Sequence, residues 1–259
     1  MNTGKILFTL CLLGMAAALQ AQEYKVAKTS GRLELHIGNV TVEGHAGNEI
    51  IFSSKDGENE KDERAAGLVA INAMGMEDNT RLGINVSAKG DALVVSPLSK
   101  TKSPEIRVLV PKGVIVSYDY ESQYGGKARF KNLENELEIS ATYNGIELEG
   151  ITGPVTVKTI YSPIDAEFAN TVKGPVSLIS IYSTVDVTLP QSLKADLSMK
   201  TSYGEMLVAP EFKIEILRPS EKEGDMVSMG GNKVQGKING GGIKVDLRSD
   251  YSKIYLRKK

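Results

Sequence analysis

Six tyrosines, Tyr124, Tyr143, Tyr161, Tyr182, Tyr203 and Tyr251, recur from the middle of the chain to its end. The first five follow one another at nearly even spacing, and the last gap spans about two periods and an irregular insertion. Five of the six sit in one frame: a small residue, any residue, tyrosine, then Asn, Ser or Gly, then apolar residues in alternation. The instances are ATYNGIEL, TIYSPIDA, SIYSTVDV, TSYGEMLV and SDYSKIYL. Tyr124 keeps only the first half, SQYGG, with Lys127 at the apolar position. A fixed period of about 20 residues identifies one short supersecondary unit stacked on copies of itself, because such a unit cannot bury its apolar side alone.

Parity describes the unit. Before the tyrosine, Val155, Val157 and Thr159 share one face, as do Val176, Leu178 and Ser180; after it come Ile164, Ala166 and Phe168, and then Val185, Val187 and Leu189. The apolar face therefore flips between Tyr161 and Ile164 and again between Tyr182 and Val185. A one-residue slip inverts a whole strand, so the chain must bend or bulge at that point. Each repeat reads as a strand, a corner beside the tyrosine, a second strand and a Gly or Pro turn. By parity Tyr161 continues the inward set 155-157-159, which predicts a ring at the corner of the core. Stacking such units at about 4.8 Å closes a common core, and connections between parallel strands are nearly always right-handed. The expected fold is all-β, a right-handed parallel β-solenoid with coils of about 20 residues. The alternative is a two-sheet β-sandwich or β-roll.

The same alternation runs through the rest of the chain, in Leu33-Leu35-Ile37, Val40-Val42, Ile106-Val108-Val110, Val114-Val116 and Leu137-Ile139. Many of the 26 glycines fall between these runs as turn signals. Residues 55–60 read as an exposed charged loop, 61–73 as a short capping helix, 96–104 as a polar loop and 211–233 as an irregular insertion. The tail INGGGIKVDLRSDYSKIYLRKK reads as a complete final repeat. The expected organisation is a leader over 1–21, N-terminal β coils over 22–110 and the tyrosine repeats over 111–259, the last two continuous.

The leader carries one charge, Lys5, then an apolar run and Ala16-Ala17-Ala18 before Gln22, the pattern of a cleaved secretory signal. Cys11, the only cysteine, lies inside the apolar run, so no lipid anchor is expected and the mature chain has no thiol. No second apolar run has spanning length. The formal net charge of −1 gives no reason to propose a nucleic-acid partner. Export to the periplasm or surface of a Gram-negative-type bacterium is expected.

With its signal peptide, its strand repeats, the glycine-rich INGGG turn and the closing YSKIYLRKK, the chain resembles the bacterial putative-adhesin family. The resemblance covers most of the mature chain, from about Leu33 onward. It implies a repetitive β fold in the cell envelope and supplies no catalytic residues.

Candidate sites follow from the repeat. Tyr143, Tyr161, Tyr182 and Tyr203 form either a structural ladder or a ligand-facing row; stacked aromatic pairs gain about 0.5–1.5 kcal/mol beyond buried area in either case. Four residues after three of these tyrosines come Glu147, Asp165 and Asp186, outward-facing on successive coils and about 5 Å apart if in register. Carboxylates at that spacing could share Ca²⁺ or serve a retaining glycosidase, although acids are common on any solvated strand. His36 lies opposite its strand's apolar face and His45 follows Gly44 in a turn; without a third ligand they make a weak case for a metal site. GNKVQGKI, from Gly231, resembles a phosphate loop but places Ile238 where Ser or Thr must hold Mg²⁺.

The residues point to a non-enzymatic surface or periplasmic interaction module that meets a glycan or an envelope or host protein. The competing readings are a Ca²⁺-dependent carbohydrate-active enzyme and a passive envelope scaffold. Oligomeric state is not legible in the sequence.

Overall fold

The structure, a computed structural model, describes residues 22–54, 63–99, 101–217 and 232–259. The leader at 1–21, the charged loop at 55–60 and the centre of the insertion, 218–231, lie outside the described residues.

The chain is all-β, arranged as two sheets of ten and eleven strands, neither of them closed. Each tyrosine repeat contributes one strand to each sheet. The strands before the tyrosines, Leu137–Ala141, Val155–Thr159 and Val176–Ser180, pair in parallel within the eleven-stranded sheet. Those after them, Gly145–Ile151, Ile164–Phe168 and Val185–Leu189, pair in parallel within the ten-stranded sheet. The registers match the frame: Val155 faces Val176, Val157 faces Leu178, and Ile164 faces Val185. The inward sets of both sheets join in one hydrophobic core in which Val157, Ile164, Phe168, Leu178, Val187 and Leu247 are fully buried. Burying each such side chain contributes about 1.5–3 kcal/mol.

Both sheets are mixed, which a purely parallel stack would not be. Antiparallel strands close three of the four sheet ends, and the parallel strand Met206–Val208 forms the fourth. Glu23–Ala27 and Glu49–Ser54 cover Glu105–Pro111 in one sheet, and Ile84–Lys89 covers Ala92–Pro97 in the other. At the far end of that sheet Asn232–Ile238 covers Ala195–Thr201, and Ile214–Ile216 in turn covers Asn232–Ile238. An uncapped parallel edge would present a full row of unpaired N–H and C=O groups to another chain. Asn232–Ile238 of the phosphate-loop look-alike is thus a strand, with Lys237 facing Asp196.

The order of repeats departs from the order of the chain at both ends. Strands Ile243–Ser249 and Ile254–Lys258, carrying Tyr251, lie between the Tyr182 repeat and the Tyr203 repeat. Likewise Gly31–Leu35 and Asn39–His45 lie between a pair that precedes Val114, Ala92–Pro97 with Glu105–Pro111, and the pair Val114–Tyr120 with Lys127–Lys131. The turn that lets the tail slip in runs through Asn239, Gly240 and Gly241, with φ of 50°, 83° and 90°. Two successive glycines make that left-handed path accessible.

The expected helix over 61–73 is not formed among its described residues. Glu63–Ala65 makes a single 3₁₀ turn, and a bridge from Ile71 to Glu77 closes the following loop. Asn72 caps that loop, its Oδ1 accepting from the Met74 and Met76 N–H groups, each at 3.0 Å. A side chain that bonds its own turn competes with helix, which defeats the apolar pattern there.

Candidate functional site

The corner of each repeat explains where the tyrosines point. In the Tyr161 repeat the buried positions run Val155, Val157, Thr159 and then Ser162, Ile164, Ala166, Phe168. The face flips between Thr159 and Ser162, upstream of the point that parity suggested, so Tyr161 turns outward and the small Ser162 takes the inward place. Buried hydroxyls make this possible. Thr159 Oγ1 donates to the Ser162 carbonyl at 2.6 Å, and Ser180 Oγ donates to the same carbonyl at 3.1 Å. Ser249 Oγ donates to the Ser183 carbonyl at 2.9 Å. Two of these hydroxyls, and that of Thr201, also accept from the N–H three residues on: Ser183 N donates to Ser180 Oγ, Gly204 N to Thr201 Oγ1, and Ser252 N to Ser249 Oγ. The hydroxyl residue two before Tyr161, Tyr182, Tyr203 and Tyr251 is thus the one that tightens the turn and satisfies its carbonyls inside the core, whereas Ala141, two before Tyr143, has no hydroxyl to do so. Gly204 replaces the usual serine because a Cβ there would lie 1.6 Å from the Ser252 carbonyl oxygen.

Backbone hydrogen bonds carry the corner from repeat to repeat. Tyr161 N donates to Thr142 O at 2.9 Å, Tyr182 N to Ile160 O at 2.8 Å, Tyr251 N to Ile181 O at 3.0 Å and Tyr203 N to Asp250 O at 2.8 Å. The rings follow in one column ordered 143, 161, 182, 251, 203. Centroids are 5.4, 5.1, 4.9 and 5.1 Å apart and planes lie within 18° of parallel. Tyr143, Tyr161, Tyr182 and Tyr251 are 50–55% exposed and Tyr203, at the end, 77%. The column is both a ladder and a displayed surface: the rings pack on one another while one side of the column meets solvent.

Tyr124 is not in the column. Ala141 pairs with Tyr120, which sets Ser122 level with Tyr143. The corner after Tyr120 is longer than the others and carries Gly126, whose N–H donates to Gly38 O. Tyr251, in contrast, belongs to the column although its distance along the chain from Tyr203 is out of step with the rest. Its frame, SDYSKIYL, is the signal that could have placed it there.

Glu147, Asp165 and Asp186 are in register on three neighbouring strands, as the spacing predicted. Cations of the protein hold the two outer members. Lys127 Nζ and Arg129 Nε both donate to Glu147, the latter at 2.8 Å, and Arg257 forms a bidentate pair with Asp186 at 2.7 and 2.8 Å. The Lys127 ammonium, with Arg129 assisting, holds the Glu147 carboxyl below its ordinary value. Asp165, among the described residues, makes no hydrogen bond or ion pair. Burial first, and then the facing Asp186 carboxylate with a smaller part from Glu147, pushes its carboxyl up, against the pull of Lys127. Such a group binds its proton more tightly folded than unfolded. Its contribution to stability is therefore largest in acid and is lost as pH rises through the folded value. Asp165→Asn should raise resistance to urea at neutral pH by about 0.2–1 kcal/mol, the scale of facing like charges. The gain should vanish as the pH falls below the ordinary carboxylate range; urea midpoints of both proteins across pH test this.

Elsewhere the outer faces are ionic pairs, such as Arg107 with Glu43 at 2.6 Å and Lys131 with Glu149 at 2.6 Å. His36 Nδ1 lies 3.2 Å from the Asp119 carbonyl and His45 Nε2 2.7 Å from the Glu49 carbonyl, so each ring is tied to backbone. Among the described residues no three His, Cys, Asp or Glu side chains gather as a metal-binding group. No helix of the described residues is long and apolar enough to cross a membrane.

No family model matches the chain, and no curated protein matches it. Among solved structures, a putative cell adhesion protein from Clostridium sporogenes ATCC 15579 aligns over 93% of this chain and 100% of its own, at 13% identity and a TM-score of 0.43. A putative adhesin from Bacteroides fragilis NCTC 9343 aligns over 92% of this chain and 96% of its own, at 8% identity and a TM-score of 0.22. At these scores and identities neither likeness bears on function.

Proposed function

We propose that the protein is an exported, non-enzymatic interaction module of the bacterial cell envelope or surface. In this reading its repeats form a right-handed parallel β-solenoid, and a glycan or an envelope or host protein lies along the tyrosine column. The observation that carries the reading is the column itself, five half-exposed or more exposed rings held in one line by stacked neighbours and a hydrogen-bonded corner. Tyrosine offers apolar area with a polar tip, which is why it is enriched where partners dock. Rings already ordered by stacking lose little freedom on binding, so more of the contact energy appears as affinity. The interior rings cover one another's faces, so a partner meets ring edges and hydroxyls, chemistry suited to a hydroxyl-rich chain running parallel to the column. The leader sequence supports export.

The test uses the mature protein, residues 22–259, and a Tyr161→Ala/Tyr182→Ala variant on glycan arrays and on envelope and host-matrix proteins. We expect retention by wild type and at least tenfold weaker binding by the variant, a difference of about 1.4 kcal/mol or more. Equal binding by the two proteins, or turnover of a polysaccharide, would overturn the proposal.

A further inference from the structure

The column also has a chemistry independent of any partner. Four tyrosine pairs lie in it with near-parallel rings 4.9–5.4 Å apart. Every member is at least half exposed, so a small oxidant reaches it. The chain has no tryptophan, and its one cysteine lies in the leader, so no thiol or indole of the mature chain competes for a radical. We propose that the tyrosine column is a site of oxidative cross-linking, at which neighbouring rings couple to dityrosine and staple one repeat to the next.

The oxidant is hydrogen peroxide, used by a haem peroxidase that abstracts one electron from each phenol. Each of two neighbouring tyrosines loses one electron and the proton of its hydroxyl, giving two phenoxyl radicals. Their unpaired electrons, shared with the ring carbons ortho to oxygen, pair to form one carbon–carbon bond between the rings. The proton on each coupled carbon then moves to its oxygen, restoring both aromatic rings and both hydroxyls. Peroxide takes the two electrons and two protons and leaves as two waters. Two tyrosines and one peroxide thus yield one dityrosine and two waters.

Geometry selects the pairs. The inter-repeat hydrogen bonds at Tyr161, Tyr182, Tyr251 and Tyr203 keep each ring beside its neighbour, while the solvent side leaves room to rotate into bonding contact. Holding reactants together in this way replaces a bimolecular encounter by a local one. Tyr118 and Tyr120 also stack, at 6.4 Å, but are 1% and 7% exposed and should be spared. The staples would join distant parts of the chain. Tyr182 lies beside Tyr251, and not beside Tyr203, although Tyr203 is the next tyrosine along the sequence. In a mature chain without thiols, such bonds would play the part that disulfides play elsewhere, removing freedom from the unfolded chain.

Dilute folded protein, residues 22–259, is treated with peroxide and a haem peroxidase, and the monomer fraction is digested with trypsin. Lys158 and Lys173 separate the first three rungs, so cross-linked peptides identify each pair. We expect dityrosine fluorescence and four linkages, 143–161, 161–182, 182–251 and 203–251, each at least about tenfold above any other tyrosine pair. Tyr182→Phe, which keeps a ring in the stack, should abolish 161–182 and 182–251 and leave 143–161 and 203–251. Protein unfolded in urea should lose the pattern. Absence of dityrosine, a 182–203 linkage as frequent as 182–251, coupling confined to dimers, or the same pattern in urea would each overturn the proposal. None of these outcomes depends on whether the column binds a partner.

Discussion

A chain ending at Asn239 should lose its fold back to Ala195 and beyond, and not merely its final repeat. The missing strands, Ile243–Ser249 and Ile254–Lys258, are interior to the stack, between the Tyr182 and Tyr203 repeats. Their Val245, Leu247, Ile254 and Leu256 are 0–1% exposed. At about 1.5–3 kcal/mol for each buried side chain, these four alone account for roughly 6–12 kcal/mol, the size of a typical domain's whole stability. Without them the Tyr203 repeat has no parallel neighbour in either sheet, and the strands of the Tyr182 repeat become bare edges. Hydrogen exchange of the truncated protein should show protection lost across Ala195–Thr201 and Asn232–Ile238 and weakened in Val176–Ser180. Unchanged protection in Ala195–Thr201 would mean that the repeats stack in chain order.

Phe168→Ala should be the most damaging single substitution among the central repeats. The ring is fully buried at the end of Ile164–Phe168, in the middle of the shared core. Loss of a buried Phe leaves a cavity that surrounding strands cannot refill, at about 3–5 kcal/mol. For a chain of this size that corresponds to a fall in Tm of roughly 6–20 °C. Tyr161→Ala provides the contrast. Tyr161 is 55% exposed, and its loss removes two stacking contacts, worth about 1–3 kcal/mol together. Thermal unfolding of the two variants tests the assignment directly. A larger loss for Tyr161→Ala than for Phe168→Ala would show that the tyrosine column, and not the apolar core, holds the repeats together.

Much of the fold was legible because alternation is a local property. Val155-Val157-Thr159 and Ile164-Ala166-Phe168 announce their inward faces without reference to any neighbour, and the shared frame announces which residues meet in register. The carboxylate row at Glu147, Asp165 and Asp186 was readable for the same reason. Less legible was the direction of the tyrosines. Counting parity forward from Thr159 points Tyr161 inward, whereas the Thr159 hydroxyl tightens the turn and brings Ser162 in instead. The cations on Glu147 and Asp186 were also hidden: Arg129 and Arg257 come from strands 18 and 71 residues away.

The sequence by itself determined an all-β chain of stacked repeats and the inward residues of their strands. Only the tertiary structure decided which repeat lies beside which, which ends antiparallel strands cover, that Tyr124 falls out of line, and that the rings of Tyr143, Tyr161, Tyr182, Tyr251 and Tyr203 form one exposed column in that order. The physical reason is that a strand's side chains specify its faces, whereas its hydrogen-bonding edges are backbone and accept any strand of matching length and parity. Order along the stack is therefore settled by turns such as Asn239–Gly241 and by contacts between distant repeats, which no periodicity records.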